Sequence, residues 1–201
     1  MLRGLFEWVK TLRQSGKAPK LPIVSPDAQY LNFNYTRTLE DHYGIDPCQI
    51  RHIHGVVGLS WDRLRLGHDS EVEDPLDEDV NDYNPEMLDE DRVAPVQQLN
   101  DHVRKWRKPV QELIQQNADF WECLREVSKV IVLGFSFGRV DEPYMRKIAE
   151  VVRQDAVWRC SWYGKGEDVK INKILTSVGV RNIELFRLYE MARGEQRGKA
   201  N

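Results

Sequence analysis

Lys129-Val130-Ile131-Val132-Leu133-Gly134-Phe135-Ser136 is an apolar run of strand length that closes on glycine and serine. A continuously apolar strand, without alternation, is expected where helices cover both faces of a parallel sheet, and Ile131 then reads as a core residue. Downstream, Asp141 offers a helix N-cap, Pro143 fits the first turn, and Tyr144, Ile148, Val151 and Val152 form an apolar stripe. Ala156–Tyr163 reads as a further strand, Glu167–Val178 as a helix behind Gly164-Lys165-Gly166, and Arg181–Phe186 as a last strand. Strand, helix, strand, helix, strand at this spacing is the pattern of parallel βαβ units.

Upstream the same grammar continues. Ala28–Asn34 reads as a strand, Thr36–Tyr43 as a helix ended by Gly44, Ile50–His54 as a second strand and Leu64–Gly67 as a third. Val96, Leu99, Val103 and Trp106 mark one helical pattern, and the residues from Val110 to Val127 mark another beyond Pro109. The expected fold is α/β, with a three-layer, Rossmann-like, mostly parallel sheet. It is read as a single domain over 1–201, with an acidic loop at 69–91 and a helical insertion at 92–128.

Composition narrows the classes. Apolar residues make up 41% and charged residues 30% of 201, which excludes a fibrous or wholly disordered chain. No apolar run approaches the roughly 20 residues needed to cross a bilayer. The N-terminal stretch reads as an amphipathic helix with Leu2, Phe6, Val9 and Leu12 on one side, not as a signal peptide. Three cysteines, at no metal-like spacing, argue against a disulfide scaffold or Cys-based zinc site, and for a reducing, cytoplasmic compartment. Twelve of the 32 acidic residues lie between Asp69 and Asp91, where there is no Lys or Arg, so the remainder is basic. Such a run cannot bury itself and is expected to be solvated. A basic remainder favours an anionic ligand without identifying it.

Ligands of open parallel sheets bind at the carboxyl ends of strands. There the sequence places Asn34, then His54-Gly55, then Gly67-His68, then Gly134-Phe135-Ser136. His54 is the candidate general base, since an imidazole takes a proton near neutral pH. Asn34 has the donors and acceptor to orient a water or a ribose hydroxyl. The loop opened by Gly134 and Ser136 can turn backbone N–H groups toward a phosphate. Two other readings stand beside this one: turn or core histidines, and a metal site from His52, His54, His68 and Asp69, the first two sharing a strand face. There is no Gly-x-Ser-x-Gly, which speaks against a serine hydrolase.

Asn32-Phe33-Asn34-Tyr35-Thr36-Arg37-Thr38-Leu39-Glu40, His52-Ile53-His54-Gly55 and Leu66-Gly67-His68 together resemble the AbiH family of bacteriophage abortive-infection proteins. Leu133-Gly134-Phe135-Ser136-Phe137, Val140-Asp141-Glu142-Pro143-Tyr144 and Ser161-Trp162-Tyr163-Gly164 extend the resemblance over Gln29–Phe186. That family is in turn similar to the sirtuin-like NAD-binding fold. The resemblance implies catalytic roles for His54 and Asn34. It implies nucleotide contacts for Thr36, Gly55, Gly67, His68, Gly134, Ser136, Asp141 and Gly164. Thr36 stands where sirtuin-type sequences carry an acid, there is no zinc ribbon, and the family's N-terminal Gly-rich strand-loop has no counterpart before Gln29.

The function so implied is antiphage abortive infection through a site that binds NAD or a related nucleotide, and in the stronger form cleaves it as an NAD glycohydrolase-like hydrolase. The alternatives are a non-catalytic nucleotide-binding or interaction module, and the His-based metal-dependent hydrolase. No cofactor or metal is required, with NAD as ligand or substrate. The expected partner is a small-molecule nucleotide, with neither membrane nor nucleic acid, and a homo-oligomer or a preceding N-terminal segment remains open.

Overall fold

A computed structural model describes residues 20–57, 64–65 and 109–188. The chain divides into two compact units, Met1–Leu64 with Val110–Asn201, and Arg65–Pro109. The first carries every strand described here. The acidic stretch 69–91, the N-terminal amphipathic pattern, the pattern at 96–106, and Gly67 and His68 lie outside the described residues.

The unit is α/β and its strands pair in parallel. β1 (Tyr30–Asn32) pairs with β2 (Ile50–His52), with Asn32 beside His52. β3 (Lys129–Val132), β4 (Val157–Trp162) and β5 (Asn182–Arg187) form a second sheet with β4 in the middle. Between β1 and β2 lie a π-helical turn, Leu39–Tyr43, and a short 3-10 turn, Pro47–Gln49. Among the described residues four helices follow: α1 (Val110–Gln116), α2 (Ala118–Glu122), α3 (Glu142–Val151) and α4 (Glu167–Ser177). α3 links β3 to β4 and α4 links β4 to β5, the crossovers that parallel pairing requires.

The strands are shorter than the apolar runs, for local reasons. β1 stops where the Asn32 side chain turns back to accept the Asn34 N–H at 2.9 Å. β2 stops where the His52 carbonyl accepts the Gly55 N–H. β3 stops before Gly134, whose N–H is given to the Ser161 hydroxyl at 3.0 Å instead of the strand ladder. The helical pattern from Val110 onward breaks at Asn117, whose amide donates to the Leu113 carbonyl at 2.6 Å and competes with the helix backbone. Leu64 and Arg65 are not in a strand, so the strand expected over Leu64–Gly67 is not formed at these two residues.

One core joins both sheets. Ile53 beyond β2, Val132 of β3, Trp158 and Cys160 of β4, Tyr144, Met145 and Ile148 of α3, and Ile171 and Leu175 of α4 are buried together. Leu31 of β1 and Phe33 just after it pack on this core, and α1 and α2 pack against α3.

The two faces of the larger sheet differ, contrary to the reading of β3 as covered on both. Ile131 is 36% exposed, and its register neighbours Arg159 and Glu184 form an ion pair at 3.0 Å on that same face. Arg159 also lies over the Phe186 ring. A branched residue on such a half-open face gives up less on truncation than a buried one. Leu175→Ala, fully buried, is expected to cost about 2–5 kcal/mol, and Ile131→Ala clearly less, as read by urea unfolding.

The thiols divide in the same way. Cys48 and Cys123 are exposed, whereas Cys160 is buried, and burial pushes its pKa up to about 12. A thiolate attacks a disulfide reagent and displaces the reagent's own thiol, so native protein should displace two equivalents without unfolding and the third only on unfolding.

Candidate functional site

His54 follows β2 by two residues and turns inward. Gly55 behind it has φ of 85°, a left-handed conformation that glycine adopts at no steric cost. The imidazole is only 2% exposed, and its Nε2 lies 3.4 Å from Asp141 Oδ1. Asp141 ends the short 3-10 turn Arg139–Asp141 that leads into α3. Eighty-seven residues separate the pair in sequence. The contact therefore ties the carboxyl end of β2 to the segment that follows β3.

Aromatic rings pack around the imidazole. Phe33, next after β1, meets His54 with ring centres 5.5 Å apart and Tyr144 at 5.4 Å. Tyr144, three residues beyond Asp141 and one helical turn along, meets His54 at 5.6 Å. Phe33 also touches Phe135, after β3, at 4.9 Å. Asn34 and Ser136 each stand one residue beyond these touching phenylalanines. The ends of β1, β2 and β3 thus meet at one place.

A second polar chain lies behind β1 and β2. His52 Nε2 is 3.0 Å from Glu40 Oε1, with both side chains largely buried, and its Nδ1 is 3.3 Å from Asn32 Nδ2. An amide nitrogen can only donate, so Nδ1 accepts and Nε2 carries the proton toward Glu40. Asn32 Oδ1 remains to accept from the Asn34 backbone, and this fixes the turn that presents Asn34. Glu40 sits in the π-helical turn, a distortion frequent at functional sites. His52 and His54 thus face different carboxylates, not one shared ligand set. Among the described residues no group of three or more His, Cys, Asp or Glu is gathered as metal ligands are.

The loop after β3 is held under strain. Gly134 has φ of 59° although a Cβ there would meet nothing, so conformation and not space calls for glycine. Phe137 has φ of 51°, costing about 1–3 kcal/mol for a bulky residue, and stays because its ring is buried. The Ser136 carbonyl accepts from Lys170 of α4 at 3.0 Å, while the residue itself is exposed. Asn34 is exposed too, and the Thr36 hydroxyl pairs with that of Thr38 at 2.9 Å. Gly164 lies apart from His54 in its hydrogen bonding: its N–H and that of Tyr163 both donate to Glu167 at 2.9 Å.

Of the residues expected at the site, His54 and Asp141 are in direct contact, and Asn34, Gly55, Gly134 and Ser136 lie in the adjoining loops. Tyr144, Tyr35, Glu40, Asn32 and Ser161 enter from the structure. The signal for Tyr144 was its place three residues after Asp141 on a helix. Nothing local marks Glu40 as the partner of His52.

Burial and then the Asp141 charge raise the Tyr35 phenol to about 12. The same two causes, in that order, raise Tyr144. Because the folded pKa of Tyr35 exceeds the ordinary value, its contribution to stability is complete below about pH 10 and is lost as pH rises through about 12. In Asp141→Asn the phenol should ionise at lower pH, seen as earlier tyrosinate absorbance. An unchanged titration would mean that Asp141 does not act on Tyr35.

Among the described residues no helix is long and apolar enough to cross a membrane. A model of the family described as bacteriophage abortive infection AbiH matches residues 2–162, to the last residue of β4. No curated protein and no solved structure matches the chain.

Proposed function

Because the chain belongs to the bacteriophage abortive infection AbiH family, we propose that its part in phage abortive infection runs through a site that binds and cleaves NAD or a related nucleotide. The observation that carries this reading is the contact of buried His54 with Asp141, among the loops that follow β1, β2 and β3. That is where sheets of this kind hold ligands. On this reading the two sheets belong to a three-layer, sirtuin-like Rossmann domain, with the acidic loop and helical insertion as additions. The protein works in the cytoplasm on a small-molecule nucleotide.

His54 takes the proton of the attacking water, and Asp141, 3.4 Å from Nε2, stabilises the imidazolium that forms. Asn34, presented by the turn that Asn32 holds, orients that water. The ribose–nicotinamide bond breaks as nicotinamide leaves with the bonding pair, and the water oxygen takes its place on the sugar. The proton passes from His54 to solvent. Positive charge gathers on the ribose in the transition state, and Asp141 is the carboxylate beside His54 that can offset it.

Gly55 lets ligand and backbone approach closely, and Thr36, Gly134 and Ser136 contribute from the flanking loops. The Gly134 N–H is already given to Ser161, so its part is to shape the loop and not to donate. Gly164 completes the nucleotide contacts on the same reading. A nicotinamide-releasing hydrolysis needs no cofactor and no metal.

His54 is buried, so truncation to alanine would disturb packing as well as chemistry. His54→Gln, closer in volume, is the better probe. Purified wild type incubated with NAD should release free nicotinamide on chromatography, and His54→Gln should lose about 10²–10⁴ in rate at matched folded concentration. Full activity in His54→Gln removes the histidine from the mechanism. Binding of NAD without release would support the non-catalytic nucleotide-binding module.

A further inference from the structure

Tyr144 is fully buried, yet its hydroxyl has no hydrogen-bond partner among the described residues. Buried polar groups are nearly always paired, and an unpaired one is costly. A phenylalanine would fill the same space without that cost. The ring is well placed by packing alone, edge-on to Phe33 and to His54. Packing therefore accounts for an aromatic ring at 144 but not for its hydroxyl.

We propose that the Tyr144 hydroxyl reads the sugar of a bound nucleotide, donating its hydrogen bond to a ribose oxygen. Three features support this beyond the missing partner. Tyr144 lies in the first turn of α3, three residues beyond Asp141 at its N-cap, so both follow the position of the same short helix. Its ring touches the imidazole that acts at the ribose, with centres 5.6 Å apart. Burial and the nearby Asp141 charge keep the phenol protonated, so it remains a donor throughout the physiological range. The aromatic rings of Phe33 and Tyr144, with the phenol as a donor, suit a sugar, whose faces carry C–H groups and whose edges carry oxygens. Tyr144 is thus a specificity-determining residue, and the assignment rests on the nucleotide-cleaving reading of His54 and Asp141.

The test is Tyr144→Phe, read by thermal unfolding without ligand and by calorimetric titration with NAD. The expected result is an unchanged or raised unfolding temperature together with about tenfold weaker NAD binding, the worth of one net hydrogen bond. A lowered unfolding temperature, or failure to fold, would mean that the hydroxyl serves the fold, and would overturn the assignment. Unchanged NAD affinity in a variant as stable as wild type would also overturn it, while leaving the reading of His54 intact. Absence of NAD binding and cleavage in wild type would overturn both.

Discussion

The approach of His54 to Asp141 is the constraint on which the site depends. Neither residue is near the other in sequence, and they follow strands of different sheets, His54 after β2 and Asp141 after β3. A buried imidazole next to a carboxylate has to be held by packing. Phe33 and Tyr144 do this, with Phe135 packed against Phe33. With the pair removed, the β1–β2 sheet would still share the common core through Ile53, Leu31 and Phe33. The His54–Asp141 contact adds a polar link between the strand ends and the start of α3. The site and the junction between the two sheets are therefore the same set of contacts.

A second constraint acts at right angles to the first in the sequence. Glu40, His52 and Asn32 link the π-helical turn to both strands of the small sheet and then to the Asn34 backbone. Each member uses the hydrogen-bonding capacity of the next, so the chain fixes a single histidine tautomer and a single amide orientation. Strain is stored on the other side, in the loop between Gly134 and Gly138, where buried Phe137 holds a left-handed backbone. Rigid support behind Asn34 and a strained loop at Ser136 flank the imidazole. On the proposed reading, such an arrangement holds groups in place for a reaction.

Local features were legible in the sequence because local physics makes them. The apolar run at Lys129, the Asp141-x-Pro143 helix start, Gly44 as a helix stop and the parallel crossovers follow from spacing and turn chemistry. What was not legible is whatever depends on partners distant in the chain. Continuous apolarity at Val130-Ile131-Val132 does not reveal that Ile131 faces a half-open surface beside an Arg159–Glu184 pair, because that depends on which strand neighbours it. His52 and His54, two apart, look like one strand face. The turn at His52–Gly55 sends them to different carboxylates. Asp141 holds the helix N-cap position read from the sequence, but its side chain makes no capping hydrogen bond and lies against His54 instead.

The central claim, that His54 and Asp141 act as one unit, is most directly tested by a double-mutant cycle on nicotinamide release from NAD. His54→Gln, Asp141→Asn and the combined variant are compared with wild type at matched folded concentration. Residues that act as a unit lose their effect together, so the combined variant should be about as slow as His54→Gln alone. Losses that multiply in the combined variant would show that the two side chains act independently, and would contradict the account.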